Sequence, residues 1–201
     1  MERPIQSRLG KNAVIRWVSP LAEDEFAEYR DAAFLHLVGR PGLTEELGAF
    51  WPKSGPQWDG LGVSDEGEVL LVEAKAHIAE MCSPGTMAGV VSRARIEDAL
   101  EVAASQLKAR PGRAPWADHF YQLANRLAHL VFLRDRGVPA WLVLVNFIGD
   151  EEMKGPSTAE AWHAAYDVAF HVMGLRRSHP YARFVVHVTP DVRDQPRHPP
   201  E

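Results

Sequence analysis

The stretch that decides the fold is Leu70-Leu71-Val72-Glu73-Ala74-Lys75-Ala76-His77, an apolar run with charge set inside it. In an extended strand alternate side chains share a face. Leu71, Glu73, Lys75 and His77 therefore point one way, and Leu70, Val72, Ala74 and Ala76 the other. Continuous apolar runs of this kind form strands covered on both faces. A carboxylate and an ammonium in such a strand are costly unless something pairs with them, such as a metal. Upstream lies Gly55-Pro56-Gln57-Trp58-Asp59-Gly60, and between the two stretches Ser64-Asp65-Glu66-Gly67 is a turn signal. Trp58 to Val63 and Glu68 to Ala76 are expected to pair as a hairpin, bringing Asp59 back across the sheet toward Glu73.

An Asp near the start of one strand, with Glu-x-Lys on the next, resembles the constellation of the PD-(D/E)xK nucleases. The resemblance rests on Asp59, Glu73 and Lys75 and covers residues 43 to 150 with the flanking helices. Two departures stand out. Trp58-Asp59 replaces the family's Pro-Asp pair, the proline being displaced to Pro56. The family core also carries a strand before the Asp strand, and none is legible between Phe50 and Gln57. The resemblance implies an α/β domain with a mixed central β-sheet flanked by helices, the restriction-endonuclease-like core. It implies Mg2+, for which Mn2+ can substitute, held by Asp59, Glu73 and the Ala74 backbone carbonyl, with Lys75 beside the attacking water. It further suggests an acidic residue from a preceding helix near the metal. Glu46 is the candidate and Glu45 the next, although both would equally suit a helix N-terminus.

The chemistry accounts for these residue types. Phosphodiester hydrolysis needs charge neutralised on the phosphate and a water made nucleophilic, which a magnesium ion on one or two carboxylates can provide. A lysine beside that water orients it and stabilises developing charge. The competing reading is an ordinary Glu73–Lys75 ion pair within a strand.

Composition narrows the class. The chain has 201 residues with 46% apolar and 24% charged side chains, an ordinary globular balance for a single domain over residues 1–189. The Pro-rich stretch 190–201 is expected to be a disordered tail. No apolar run reaches the ~18 residues of a membrane span. Met1 to Asn12 lacks the apolar core of a signal peptide. Cys82 is the single cysteine and allows no internal disulfide, so a cytoplasmic protein is expected. The formal net charge of −5 argues against a protein that coats DNA. It argues less against a nuclease, whose metal supplies local positive charge.

Working outward, Ala13 to Val18 reads as a short edge strand. Ser19-Pro20 reads as the cap and first position of a helix running to about Leu37. Thr44 is expected to cap a second helix whose buried stripe is Leu43, Leu47 and Phe50, with Glu46 beside it. His77 shares the catalytic face and is a candidate phosphate contact or secondary base; the alternative is a histidine hydrogen-bonded at the sheet edge. Ile78 to Gly89 reads as a loop. Ser92, Arg93 and Arg95, at the approach to a helix from Ile96 to Ala109, are candidate anion contacts or a solvated helix start. Lys108 to Pro115 is a basic loop suited to a phosphate backbone. A helix from Trp116 to Arg136 carries the polar stripe Gln122, Asn125, Arg126 and His129, expected on its surface. Within it, Gln122 and Asn125, with Tyr121, are candidate nucleic-acid contacts. Trp141 to Ile148 should be a central strand beside Glu-x-Lys, joined to it by a helical crossover. A helix from Ala159 to about Gly174 and a strand from Tyr181 to Val188 complete the domain.

There is no Gly-x-Ser-x-Gly elbow, no phosphate-binding Gly-Lys-Ser/Thr loop and no cysteine pair for zinc. The expected function is a metal-dependent nuclease acting on DNA, with RNA the other polynucleotide candidate. The other class of reading is a non-catalytic binding or scaffold subunit of a nucleic-acid-processing or defence complex. In either case a homodimer or a protein partner, and no membrane, is expected.

Overall fold

The computed structural model describes residues 2–10, 13–110 and 114–194. Five strands form one mixed sheet: β1 (Ile15–Ser19), β2 (Gly60–Ser64), β3 (Val69–Lys75), β4 (Ala140–Asn146) and β5 (Val185–Val188). Their spatial order is their chain order. β1, β2 and β3 are antiparallel neighbours, whereas β3, β4 and β5 run parallel. The helices are α1 (Glu2–Leu9), α2 (Asp31–Leu37), α3 (Thr44–Phe50), α4 (Val90–Gln106), α5 (Tyr121–Asp135) and α6 (Ala159–Val172).

The expected hairpin is β2–β3. Gly67 takes a φ of 79°, its N–H donates to Ser64 O at 2.9 Å, and the Ser64 N–H closes onto Glu68 O. Only glycine adopts that conformation readily. β3 pairs on its other side with β4 in register Glu73↔Leu144 and Lys75↔Asn146. Parallel neighbours require a crossover, and α4 and α5 supply it. On its other side β2 pairs with β1, some forty residues upstream, which sets Trp17 against Gly62. A Cβ on Gly62 would lie 3.1 Å from the Trp17 ring, so the small residue is what lets the two strands meet there.

The two sheet faces differ in depth. Val69, Leu71, Leu142 and Leu144 join the large core under α2 to α6. Leu70, Val72, Val143 and Val145 form a smaller cluster that Ile5 of α1 closes, itself fully buried. None of the helices among the described residues is long and apolar enough to cross a membrane.

Several expected boundaries move. Ser19 does not cap a helix: it ends β1, followed by a cis Ser19–Pro20 bond and a 3-10 turn at Ala22–Asp24. The helix starts only at Asp31, because Tyr29 first pairs with Trp58. Phe26, inside the expected helix, is 66% exposed. Thr44 lies inside α3 and its hydroxyl donates to Pro41 O instead of capping. α4 begins at Val90, six residues before the apolar periodicity, since its first turn faces solvent and carries no such pattern. α5 begins at Tyr121 because Trp116 is held out of helix, its indole N–H donating to Met173 O at 2.9 Å. Tyr181–Phe184 is a turn before the last strand. Pro190 and Asp191 still pair with Ile148, so any tail begins later; residues 195–201, and 111–113 of the basic loop, lie outside the described residues.

Candidate functional site

β3 carries its charge at its C-terminal end, where the antiparallel hairpin stops and the parallel pair continues. The register Gly60↔Val72 would set residue 58 opposite Ala74. The Trp58 N–H donates instead to Tyr29 O at 3.1 Å. The Asp59 carboxylate fills the gap, with Oδ2 accepting the Ala74 N–H at 2.6 Å. A side chain thus continues the ladder where the backbone turns away, and the Ala74 carbonyl has no β2 partner.

Glu73 is 5% exposed and both its oxygens are engaged. Oε1 takes the Lys75 ammonium, and Oε2 accepts Arg126 Nε at 2.5 Å. Arg126, on α5, is 6% exposed. Its two remaining nitrogens donate to Asn125 Oδ1 at 2.9 Å and Gln57 O at 2.7 Å. Its guanidinium lies over the Trp58 ring, 4.9 Å from the centroid. Every direction of that fork is fixed, as a buried charge requires.

The site is electrostatically uneven. The Asp59 carboxyl is raised from 3.8 to about 6, first by burial and then by the Glu73 charge, against the opposing Ala74 bond and the Arg126 and Lys75 charges. Two carboxylates converge, and of the two only Glu73 is bonded to the resident cations. Among the described residues Asp59 Oδ1 makes no hydrogen bond, and a groove of about 380 Å³ reaches Asp59 and Ala74 from the α1 side. The donor set fits a hard divalent cation: the Asp59 carboxylate, the Ala74 carbonyl and the second lone pairs of Glu73 are all oxygen. Among the described residues no three His, Cys, Asp or Glu side chains gather as a metal cluster, so a cation here would complete its shell with water.

Of the residues singled out in the sequence, Asp59, Glu73, Ala74 and Lys75 come together. The rest do not. His77 lies past the end of β3, where alternation no longer holds it on the Glu73 face. It caps a 3-10 turn, its Nε2 3.5 Å from Glu80, whose carboxylate also takes the Ala76 and His77 N–H groups. Glu46 is exposed and pairs at 2.6 Å with Arg136, ten residues beyond Arg126 and so about 15 Å along the helix direction. Glu45 is also exposed. Ser92, Arg93 and Arg95 are inside α4. Arg93 pairs with Glu97 and Asp118, and Arg95 donates to Gly48 O. Gln122 is half-buried, its N–H donating to Ser83 Oγ at 3.0 Å.

The polar stripe of α5 points inward, not to solvent. Asn125 is 6% exposed and orients Arg126. His129 is 1% exposed and sits among Phe34, Phe50, Trp51 and Trp58, its Nδ1 donating to Asn125 O at 2.9 Å. Burial lowers its pKa to about 3, with the Arg126 charge adding to the effect, so the ring is neutral. Sequence reading also passed over Asn146 and Tyr166. Asn146 is fully buried opposite Lys75, and Tyr166 donates to its Oδ1 at 3.0 Å. The Tyr166 hydroxyl is pushed up, chiefly by burial and then by the Glu73 charge. A polar residue closing the apolar run of β4 was the available signal for Asn146.

No protein-family model, curated protein or solved structure matches the chain significantly.

Proposed function

We propose that this protein is a divalent-metal-dependent nuclease of the PD-(D/E)xK kind, hydrolysing phosphodiester bonds in DNA. The observation that carries the reading is the convergence of Asp59, Glu73 and Lys75 from adjacent strands, with Asp59 bonded to the Ala74 N–H. Asp59, Glu73 and the Ala74 carbonyl would hold Mg2+, or Mn2+ in its place. The bound ion would supply Lewis acidity toward the phosphate and make its water a better nucleophile. Lys75 would orient that water and keep a positive charge beside the developing phosphorane. Arg126 positions Glu73 by fixing Oε2 from the core side. A cytoplasmic location belongs to the same reading.

A second reading is favoured by one specific observation. Lys75 and Arg126 together neutralise Glu73, so the carboxylate is satisfied without a metal. That arrangement suits a non-catalytic binding or scaffold subunit of a nucleic-acid-processing complex. The net charge of −5 suits one that meets a protein partner or a second copy of itself.

The deciding experiment is cleavage of single-stranded, duplex and branched DNA, and of RNA, with Mg2+, Mn2+ or EDTA. Wild type is compared with Glu73→Ala and Lys75→Ala, each checked for folding. Metal-dependent cutting lost in both folded variants is expected. Cutting that survives both substitutions would place the activity elsewhere. Saturable metal binding without cutting on any substrate would favour the scaffold reading.

A further inference from the structure

We propose that the cleft between α6 and the edge strand β5 is a second ligand site, built to hold the phosphate group of a small molecule. The cleft has a volume of about 410 Å³, in the range of small-ligand pockets. Arg8 reaches it from α1, His163 and Tyr166 from α6, Arg177 and His179 from the following loop, and His187 from β5. None of the residues that line it belongs to the Asp59, Glu73 and Lys75 site.

Two of the rings are incompletely satisfied. Nδ1 of His179 and Nδ1 of His187 are enclosed and have no hydrogen-bond partner. His179 is 6% exposed, so its orphan nitrogen is deep. An enclosed Nδ1 with no acceptor is the nitrogen that stays unprotonated in a neutral ring. Among the described residues no protein group bonds either Nε2, which leaves that nitrogen of each ring for a ligand in the cleft. Burial lowers both rings to about 4, so each is neutral at pH 7 and carries one N–H. With Nδ1 closed off from any acceptor, an anion at Nε2 favours the tautomer that places the proton there.

The charge balance points the same way. Arg177 pairs with Asp167, and no acidic side chain among the described residues pairs with Arg8. The cleft is therefore positive by one before any histidine protonates, in a chain of net charge −5. Asp167, which also lines the cleft, takes two of the Arg177 nitrogens. The Arg8 guanidinium, the third Arg177 nitrogen and the imidazole N–H groups still offer more donors than a carboxylate's two oxygens accept, whereas the terminal oxygens of a phosphate match them. The wall beside these donors is aromatic: the Tyr166 and His187 rings meet edge-on at 4.6 Å, and Phe170 lies 6.1 Å from Tyr166. A phosphate on its own or a nucleoside monophosphate would meet the same donors, and the wall would favour the second.

The test is isothermal titration of the full chain with inorganic phosphate, adenosine monophosphate and adenosine, with the histidine ring signals followed by NMR. The expected result is saturable binding of the two phosphate-bearing probes, none of adenosine, and shifts in the His179 and His187 rings. Arg8→Glu lies on an exposed helix turn and should weaken binding at least tenfold without unfolding the chain; His187→Gln should weaken it as well. Lys75→Ala should leave it unchanged, which separates this cleft from phosphate binding at the candidate catalytic site. Tighter binding of the nucleotide would identify the ester as the source of the phosphate, and equal binding the free anion. Absence of binding at millimolar probe, binding as tight for adenosine as for the nucleotide, or binding lost in Lys75→Ala but kept in Arg8→Glu would overturn the proposal.

Discussion

Helices α4 and α5 pack side by side on the same face of the sheet, and both carry arginines, yet they use them in opposite ways. α4 buries Ile96, Ala99, Leu100 and Ala103 and leaves Arg93 and Arg95 at the surface. In α5 every residue from Leu123 to Leu133 is buried, Asn125, Arg126 and His129 included. The cause is position. α5 is enclosed by β4 beneath it, α4 beside it and Phe50 of α3 packed on Phe132, so between Leu123 and Leu133 no face of it is open to water. On a helix with an open face, polar side chains can turn to solvent and their bonds are optional. On an enclosed helix each polar group must have a partner, and its removal leaves another group stranded.

The sharpest way to break the comparison is Arg126→Ala. Glu73 would keep only Lys75, while Gln57 O and Asn125 Oδ1 would lose their donors and the Trp58 face its cation. Breaking a buried pair from one side costs about 3–5 kcal/mol, and urea unfolding should register a loss of that order. A loss under about 1 kcal/mol would mean that water reaches Glu73 and that α5 is not enclosed.

The second test is acid. His129 falls from 6.5 in the unfolded chain to about 3 in the fold, so below pH 6.5 the unfolded state binds the extra proton and stability drops as pH falls. Between pH 6.5 and 5 this ring alone contributes a loss of about 1.5 kcal/mol. His179 and His187, at about 4, act with the same sign. Asp59 acts against them: raised to about 6, it stabilises the fold below its unfolded value of 3.8 and loses that contribution as pH rises through 6. Three imidazoles outweigh one carboxyl, so the unfolding midpoint should decline from pH 6.5 to 5. His129→Phe should have a shallower decline, whatever its stability at pH 7.

A smaller effect separates Asp59 from its neighbours. Asp59→Asn keeps an acceptor for the Ala74 N–H and removes a carboxylate that is ionised against Glu73 at pH 7.5. It should raise stability there by about 1 kcal/mol and have no such effect at pH 5. Millimolar Mg2+ should stabilise wild type at pH 7.5, less at pH 5 where the proton competes, and leave Asp59→Asn unmoved. Thermal unfolding with and without the ion reads all of these, and equal stabilisation of the variant would remove Asp59 from the cation's donors.

What could be read from the sequence follows the same division. The β2–β3 hairpin, the parallel partner β4 and the meeting of Asp59 with Glu73 and Lys75 rest on short-range alternation and one turn, which the chain states locally. β1 was visible as a strand, but its place beside β2 was not, because that pairing spans some forty residues and depends on Gly62 accommodating Trp17. Arg126 was in plain view as one member of a polar stripe. Its direction depends on what covers α5 from other parts of the chain, and periodicity carries no record of that. Glu46 lies apart from the Glu73 group for the converse reason: helical spacing put it near Leu47 and Phe50, yet a short helix with one buried residue leaves its neighbours free to turn outward to Arg136.

The smallest effect belongs to α4 and completes the contrast. Arg93 bonds Glu97 at 2.8 Å and Asp118 at 2.6 Å, shorter contacts than many buried ones, and its side chain is 35% exposed. Short distance is not strength when both charges remain in water. The attraction is screened, and holding two long side chains costs rotamer entropy. Arg93→Ala should therefore cost far less than Arg126→Ala, and less still in half-molar salt, while the loss in Arg126→Ala should barely respond to salt because no counterion reaches Glu73. Urea unfolding of both variants at low and high ionic strength makes the comparison directly. If the two losses screened alike, the distinction between an enclosed and an open helix would fail, and with it the assignment of Arg126 as the residue that positions Glu73.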